Sequence, residues 1–346
     1  MSTFKEIRGT LIKSVSSDPA NPQIGQIWYN NTIGSLKGYR TVASAFSSGG
    51  NRNDGQSDGC GAGTLTAGLA FGGGRNPGSP SSGGLATQTQ SEEYNGSSWA
   101  EGGAMSTGRT TFGGFGTQTA ALAFGGRTTN NPFTYTNATE EYGGTSWTSG
   151  GNLGSTAYYM NRSGGGTQTA GVSVGGINNI PGTSNDKKTE EYNGTSWTTV
   201  NNMLADSRRT VYLGTQTAGL IASGVPAPGN NSAYNYDGTN WTAAGVGTVN
   251  ALSGRSGIGT ASEGLLMSGT VPMTTGQNSE LWNGTSFSND AVTATQRSSG
   301  QSSSASTTSS GYVTSGNNPT TPGSALTSTE VYTATFNAAQ TLTTST

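Results

Sequence analysis

The sequence predicts an all-β chain made of tandem four-stranded antiparallel sheets, a β-propeller. Three observations carry the prediction. The chain is crowded with turn formers and poor in charge: of 346 residues 57 are glycine, and 10% are charged. Gly, Ser, Thr and Asn at that density favour turns and short strands over helices. A hairpin-like segment recurs along the chain, and a glycine-closed apolar segment alternates with it.

The hairpin segment reads SEEYNGSSWA from Ser91, TEEYGGTSWT from Thr139, TEEYNGTSWT from Thr189, AYNYDGTNWT from Ala233 and SELWNGTSFS from Ser279, with a weaker copy, TEVYTATFN, from Thr329. Its second aromatic falls at Trp99, Trp147, Trp197, Trp241, Phe287 and Phe336, in steps of 48, 50, 44, 46 and 49 residues. The alternating segment reads GTLTAGLAFGG from Gly63, GTQTAALAFGG from Gly116, GTQTAGVSVGG from Gly166, GTQTAGLIASG from Gly214 and GTASEGLLMSG from Gly259, with a degraded copy at 306–316. Each copy, apolar in its second half, is read as one buried strand closed by glycine. Polar stretches that often carry Arg, at 102–115, 204–213 and 252–259, are read as a further strand. One unit is then four short strands. Repeated at this period, such sheets bury their faces only against neighbouring blades.

Within the hairpin, a two-residue turn at Asn95-Gly96 would pair Tyr94 with Ser97, Glu93 with Ser98 and Glu92 with Trp99. Eight of the chain's glutamates sit at these repeated positions: Glu92, Glu93, Glu140, Glu141, Glu190, Glu191, Glu280 and Glu330. Neighbours in a strand point to opposite faces, so Glu92 and Glu93 do not make a catalytic carboxylate pair. A repeated acid belongs to the repeated scaffold, and Arg109, Arg208 and Arg255 are its expected partners.

The sixth hairpin replaces the turn dipeptide with Thr333-Ala334. Phe46 precedes Gly49-Gly50 by the spacing that Trp147 has to Gly150-Gly151. The strand around 39–46 is therefore expected to complete the last blade and close a six-bladed ring. The alternative builds a seventh blade from IRGTLIKSV, GQIWYN and the tail AQTLTTST. Residues 1–38 lack the repeat and are read as a strand, a Pro-containing loop and a hairpin before a propeller at 39–346, either a separate attachment segment or a cap on the propeller.

A strand ending Gly-Gly, then a Tyr, a Trp five residues later and an Arg before the next strand is similar to the kelch repeat, over roughly residues 41–337. The chain departs from that repeat in lacking its longer turn between third and fourth strands and in its Thr/Gln-rich second strand. The form GTQTAALAFGG followed by TEEYGGTSWT resembles kelch-like virion proteins of tailed bacteriophages, notably those infecting marine cyanobacteria. The segment DPANPQIGQIWYNNTIGSLKGY, 18–39, is similar to N-terminal segments of phage appendage proteins. The resemblance implies a non-enzymatic structural protein of the virion, assembled in the host cytoplasm: a tail-fibre, knob or capsid-decoration propeller. Its partners would be other virion proteins through residues 1–38, further copies of itself, and a host surface glycan or protein.

Composition narrows the chemistry. There is no histidine, which removes the commonest general base and metal ligand. The single cysteine, Cys60, permits no internal disulfide. A net charge of −2 gives no nucleic-acid footprint. No apolar run is long enough for a membrane helix, and MSTFKEIRGTLIKSV has no secretory apolar core. No cofactor and no metal are expected. The segment YDGTNWT, 236–242, resembles a sialidase Asp-box only in part, because Gly238 follows Asp237 directly. A glycan hydrolase stays the distant alternative, and a virion protein with no host ligand the nearer one.

The connections from the Gly-Gly strand to the hairpin, at 74–90, 127–138, 177–188, 225–232, 270–278 and 317–328, vary in length and hold nine of the 11 prolines. Equivalent connections emerge on one rim, where recognition residues gather on a rigid scaffold. The candidate ligand-binding residues there are Arg75, Phe133, Tyr135, Lys187 and Lys188.

Overall fold

A computed structural model of the chain describes residues 12–75, 86–130, 133–154, 157–158, 164–178, 186–224, 231–269, 277–318 and 325–342. These residues contain strands and no helix. The chain packs as two compact units, one of Met1–Ala45 with Ala334–Thr346 and one of Phe46–Thr333. This division differs from the expected 1–38 and 39–346 in giving the C-terminal tail to the first unit.

The larger unit is a succession of antiparallel sheets with one strand order, first to fourth. Sheet one holds Cys60–Thr64, Ala67–Phe71, Ser91–Tyr94 and Trp99–Glu101. Sheet two holds Gly113–Gly116, Ala121–Phe124, Thr139–Tyr142 and Trp147–Ser149. Sheet three holds Gly164–Thr167, Ala170–Asn178, Asp186–Tyr192 and Trp197–Val200, and Ala157–Tyr158 joins the far end of its second strand. Sheet four holds Val211–Thr215, Ala218–Ala222, Ala233–Tyr236 and Trp241–Ala243. Sheet five holds Ser256–Gly259, Gly264–Met267, Glu280–Trp282 and Phe287–Asn289. Sheet six holds Gln301–Ser302, Ser310–Thr314 and Thr329–Thr333, and its fourth strand is Ala45–Ser48 from the other end of the chain. The arrangement is β-propeller-like.

Three sequence expectations need correction. The Gly-Thr segment is not one strand. Gly116 ends a first strand, the Thr117 N–H closes a turn onto the Ala120 carbonyl at 3.0 Å, and Ala121 opens the second strand. The polar Arg-bearing stretches are mostly the loops before first strands. The outer hairpin is also shifted by one turn position: Trp99 lies opposite Tyr94 and Ala100 opposite Glu93. The cause is the asparagine side chain. Asn95 Oδ1 accepts the N–H groups of Ser97 and Ser98, both at 2.9 Å, so Asn95 forms the entry corner and Gly96-Ser97 the tip. An Asn or Asp that caps its own loop in this way competes with the tight Asn-Gly turn. The shift turns Tyr94 and Trp99 from diagonal neighbours into a stacked pair with ring centroids 4.8 Å apart.

The first strands converge. One cavity of about 20 Å³ is lined by Gly61, Gly114, Gly164, Val211, Tyr212, Gly257, Ser302 and Ser304, residues of all six sheets. That is room for about one water molecule. Glycine is required by the close approach: a Cβ on Gly61 would lie 2.4 Å from the Ser302 carbonyl oxygen, and one on Gly114 2.8 Å from the Phe71 ring.

Bonds between sheets recur as regularly as the strands. The indole N–H of Trp147 donates to Ser91 Oγ at 3.0 Å, that of Trp197 to Thr139 Oγ1 at 2.9 Å and that of Trp241 to Thr189 Oγ1 at 3.0 Å, each reaching the preceding sheet. The same bond joins sheet one to sheet six, Trp99 Nε1 to Thr329 Oγ1 at 2.9 Å. The half-buried Gln of the Gly-Thr-Gln-Thr motif also bonds the preceding sheet: Gln118 donates to the carbonyls of Gly68 and Tyr94, Gln168 to those of Ala121 and Tyr142, and Gln216 to those of Gly171 and Tyr192. Sheet one carries Leu65 in that place, and there Tyr312 supplies the bonds from sheet six, to Ala62 O at 3.0 Å and Leu69 O at 3.2 Å.

The smaller unit is a sheet ordered Lys13–Val15, Ile27–Asn30, Ser35–Val42 and Phe336–Thr341. Its first pair is parallel, unlike the repeat. Asp18, in the Pro-containing loop, accepts from Trp28 Nε1 at 3.0 Å, Asn30 Nδ2 at 2.8 Å and Lys37 Nζ at 2.6 Å. Those donors hold its carboxyl at about 2, below the usual carboxylate range.

Candidate functional site

The edge from which the second-to-third-strand connections leave is built on buried ion pairs. Arg52 Nε lies 2.9 Å from Glu92, and Arg255 and Arg297 each lie 2.6 Å from Glu280 and Glu330; Arg109 pairs with Glu140 in the same way. Each arginine is 3% exposed or less. Arg109 and Arg297 also donate to two main-chain carbonyls each, Gly125 and Ala138 for the first and Ser315 and Ser328 for the second. They thus tie the end of a second strand to the start of a third. The glutamates cap the loop that enters their own sheet, through the N–H groups of Asn53, Ser106, Gly154, Val249 and Ala294. The third-position acids face the other way. Tyr142 donates to Glu93 at 2.7 Å and Tyr236 to Glu191 at 2.8 Å, each from the following sheet, and Tyr192 likewise to Glu141.

The acids are therefore scaffold, as expected, and Arg109 and Arg255 are among their partners. Arg52 and Arg297 were missed by sequence reasoning, because the stretches that hold them, GNRNDG and TQRSSG, do not look alike. The signal that would have found them is the acid itself, which calls for a cation in every unit.

Of the candidate ligand-binding residues, Arg75 ends a short strand, Gly74–Arg75, paired with Ala86–Thr87. Phe133 and Tyr135 lie on Phe133–Tyr135, which pairs with Arg127–Asn130, and Tyr135 is half-buried. Lys187 is exposed, whereas Lys188 Nζ lies 3.0 Å from the buried Glu190 carboxylate. Lys188 thus serves sheet three much as the arginines serve their sheets. The nine prolines of the connections, and with them the tips at 76–85, 131–132, 179–185, 225–230, 270–276 and 319–324, lie outside the described residues.

Sheet four breaks the pattern. Tyr234 stands where the other sheets carry the capping glutamate, and it packs against the cluster that holds Met203 and Tyr212. Past the fourth strand, the chain elsewhere re-pairs with the start of the third strand after three residues, as Gly102 to Ser91 and then Met105 to Thr89. In sheet four it pairs Ala244 to Ala233 and then Thr248 to Asn231, one residue more. The added residue leaves an open cleft of about 260 Å³ lined by Asn231, Ser232, Tyr234, Ala243, Gly245 and Val246, among others. Among the described residues no group of three or more His, Cys, Asp or Glu is placed to hold a metal ion. Set beside known proteins, the chain matches no family model and no curated protein sequence.

Proposed function

We propose that the chain is a non-enzymatic structural protein of a bacteriophage virion, a six-bladed kelch-like propeller of a tail fibre, knob or capsid decoration, which attaches or recognises through its one variable edge. The observation that carries the reading is the division of labour in the larger unit. Buried ion pairs recur in five of the six sheets, indole bonds to the neighbouring sheet in four, and close-packed glycines along the first strands, while the connections at one edge vary in length and sequence. Such a unit is a rigid mount for changeable loops. The recurrence of the Trp-to-hydroxyl bond between sheets one and six supports a ring closed by the strand Ala45–Ser48. A convergence point with space for about one water supports a role without a central substrate site. The test is adsorption. Purified chain added to host cells should compete with particles for binding, and chain carrying Phe133→Ala and Tyr135→Ala should compete less well. Equal competition by that variant would remove those two residues from the site.

A second reading is architectural, with contacts to other virion proteins or to further copies of the chain through residues 1–38 and no host ligand. It is favoured by the smaller unit, where Ile24 is 65%, Ile33 55% and Tyr29 40% exposed. Apolar side chains at that exposure fit a surface covered on assembly. Cross-linking of assembled particles through residues 12–42, with no competition at the cell surface, would select this reading.

A further inference from the structure

The two departures of sheet four fall at one place. A capping glutamate and a three-residue return recur in the other sheets of the larger unit and are both abandoned here. Folding alone would retain them, since each glutamate satisfies an arginine or lysine and loop N–H groups elsewhere. The Tyr234 ring packs against the cluster of Met203 and Tyr212, yet the added residue of the return opens a cleft beside it, and local rules broken together in one place mark a functional position.

The geometry points to a saccharide site: we infer that the cleft between Asn231 and Val246 binds a neutral sugar residue. The inference deepens the recognition reading and rests on it, because the cleft opens on the variable edge. No lining residue is charged, so neither a sialic acid nor a phosphorylated sugar finds a counter-charge. The exposed Asn231 side chain offers both donors and an acceptor, the pattern that adjacent hydroxyls on a sugar ring require. Its backbone carbonyl accepts from Thr248 N–H at 2.7 Å, which fixes the residue at the mouth of the cleft, while the side chain is exposed. Tyr234 is half-buried and held by its packing, and Val246 is 40% exposed. An aromatic and an aliphatic surface beside an amide match the alternating C–H and O–H faces of a pyranose. At about 260 Å³ the cleft lies near the small end of ligand pockets, roughly 300 Å³. It therefore suits one sugar residue, with the rest of a glycan in solvent.

The test uses the full chain on arrays of neutral and acidic glycans, followed by titration with the free neutral monosaccharides of the bound set. Two variants accompany it. Tyr234→Glu restores the residue of the other sheets, and Asn231→Ala removes only the amide. The inference predicts binding of neutral glycans, with affinity falling roughly ten-fold or more in each variant, and with the melting temperature unchanged in Asn231→Ala, whose side chain is exposed. Equal binding by Asn231→Ala and wild type overturns it, as does binding restricted to acidic glycans or no glycan binding at all. Adsorption of the wild-type chain to cells decides the recognition reading separately. A chain that adsorbs but binds no neutral sugar loses the cleft and keeps the recognition edge.

Discussion

Ser223 shows how single residues carry the repeat. A residue with left-handed backbone follows the apolar run of each second strand, Gly72, Gly125 or Gly175 in the first three sheets and Ser223, Ser268 or Ser315 in the last three, and in sheet three it sits at a register shift within Ala170–Asn178. The serines have φ of 64°, 53° and 57°. Two of them give their hydroxyls a use. Ser315 Oγ accepts from Arg52 at 3.0 Å, and Ser268 Oγ lies 3.2 Å from Thr293 Oγ1. Ser223 Oγ is buried with no partner among the described residues. Left-handed backbone at a non-glycine costs about 1–3 kcal/mol, and glycine gives back roughly 0.5–1 kcal/mol in unfolded-state entropy. Ser223→Gly should therefore stabilise the chain by about 1 kcal/mol, read by denaturant titration. Ser315→Gly should destabilise, because it takes an acceptor from a buried guanidinium. At this scale the sequence was only partly readable. The turn dipeptide was visible as Asn-Gly, but its register depended on which N–H groups the Asn95 side chain captures, and composition does not show that.

At the scale of the element, the ion pairs make the clearest prediction. Arg255 and Glu280 are buried together, and burial pulls the guanidinium below its ordinary range while the carboxylate pushes it back. Breaking such a pair leaves one charge unsatisfied. Arg255→Met should cost about 3–5 kcal/mol, whereas Arg255→Met with Glu280→Leu should recover much of the loss. Melting curves of the two variants check this, and equal destabilisation would show that the pair acts through its loop bonds instead. Tyr234, an apolar side chain in the same place in sheet four, is the chain's own precedent. The hairpins, the Gly-Gly ends and the acids' scaffold role were legible because each repeats with its neighbours in sequence. Arg52 and the cleft at Tyr234 were not. Arg52 lies 40 residues from its acid, and the cleft depends on one inserted residue in a loop whose length varies anyway.

For the whole molecule, the seams between sheets set the pH response. Tyr142 and Tyr192 donate across seams, and burial, aided by the bonds to Glu93 and Glu141, raises each from 10.0 to about 12. A phenol whose folded value lies above its unfolded value adds stability that is complete below pH 10 and disappears as pH rises through about 12. Stability should thus be insensitive to these groups at neutral pH and fall between those limits. Tyr142→Phe with Tyr192→Phe should shallow that fall in alkaline denaturation curves. The fourth strand of sheet six was also visible in the sequence, as a hairpin that lacks its turn at Thr333-Ala334 and a Phe46 with no hairpin of its own. The structure places that strand at Ala45–Ser48, with the Phe46 and Tyr332 rings 5.2 Å apart. Phe336, which the sequence reads as the sixth outer aromatic, is instead 47% exposed on the strand Phe336–Thr341 of the smaller unit.

A cryo-EM or crystallographic map of the isolated chain, viewed along the convergence of the first strands, tests the central claim most directly. The account predicts a closed ring of six sheets, with Ala45–Ser48 beside Thr329–Thr333 and the Trp99 indole on Thr329. A seventh sheet between Gln301–Ser302 and Cys60–Thr64, or an open gap there, would contradict it.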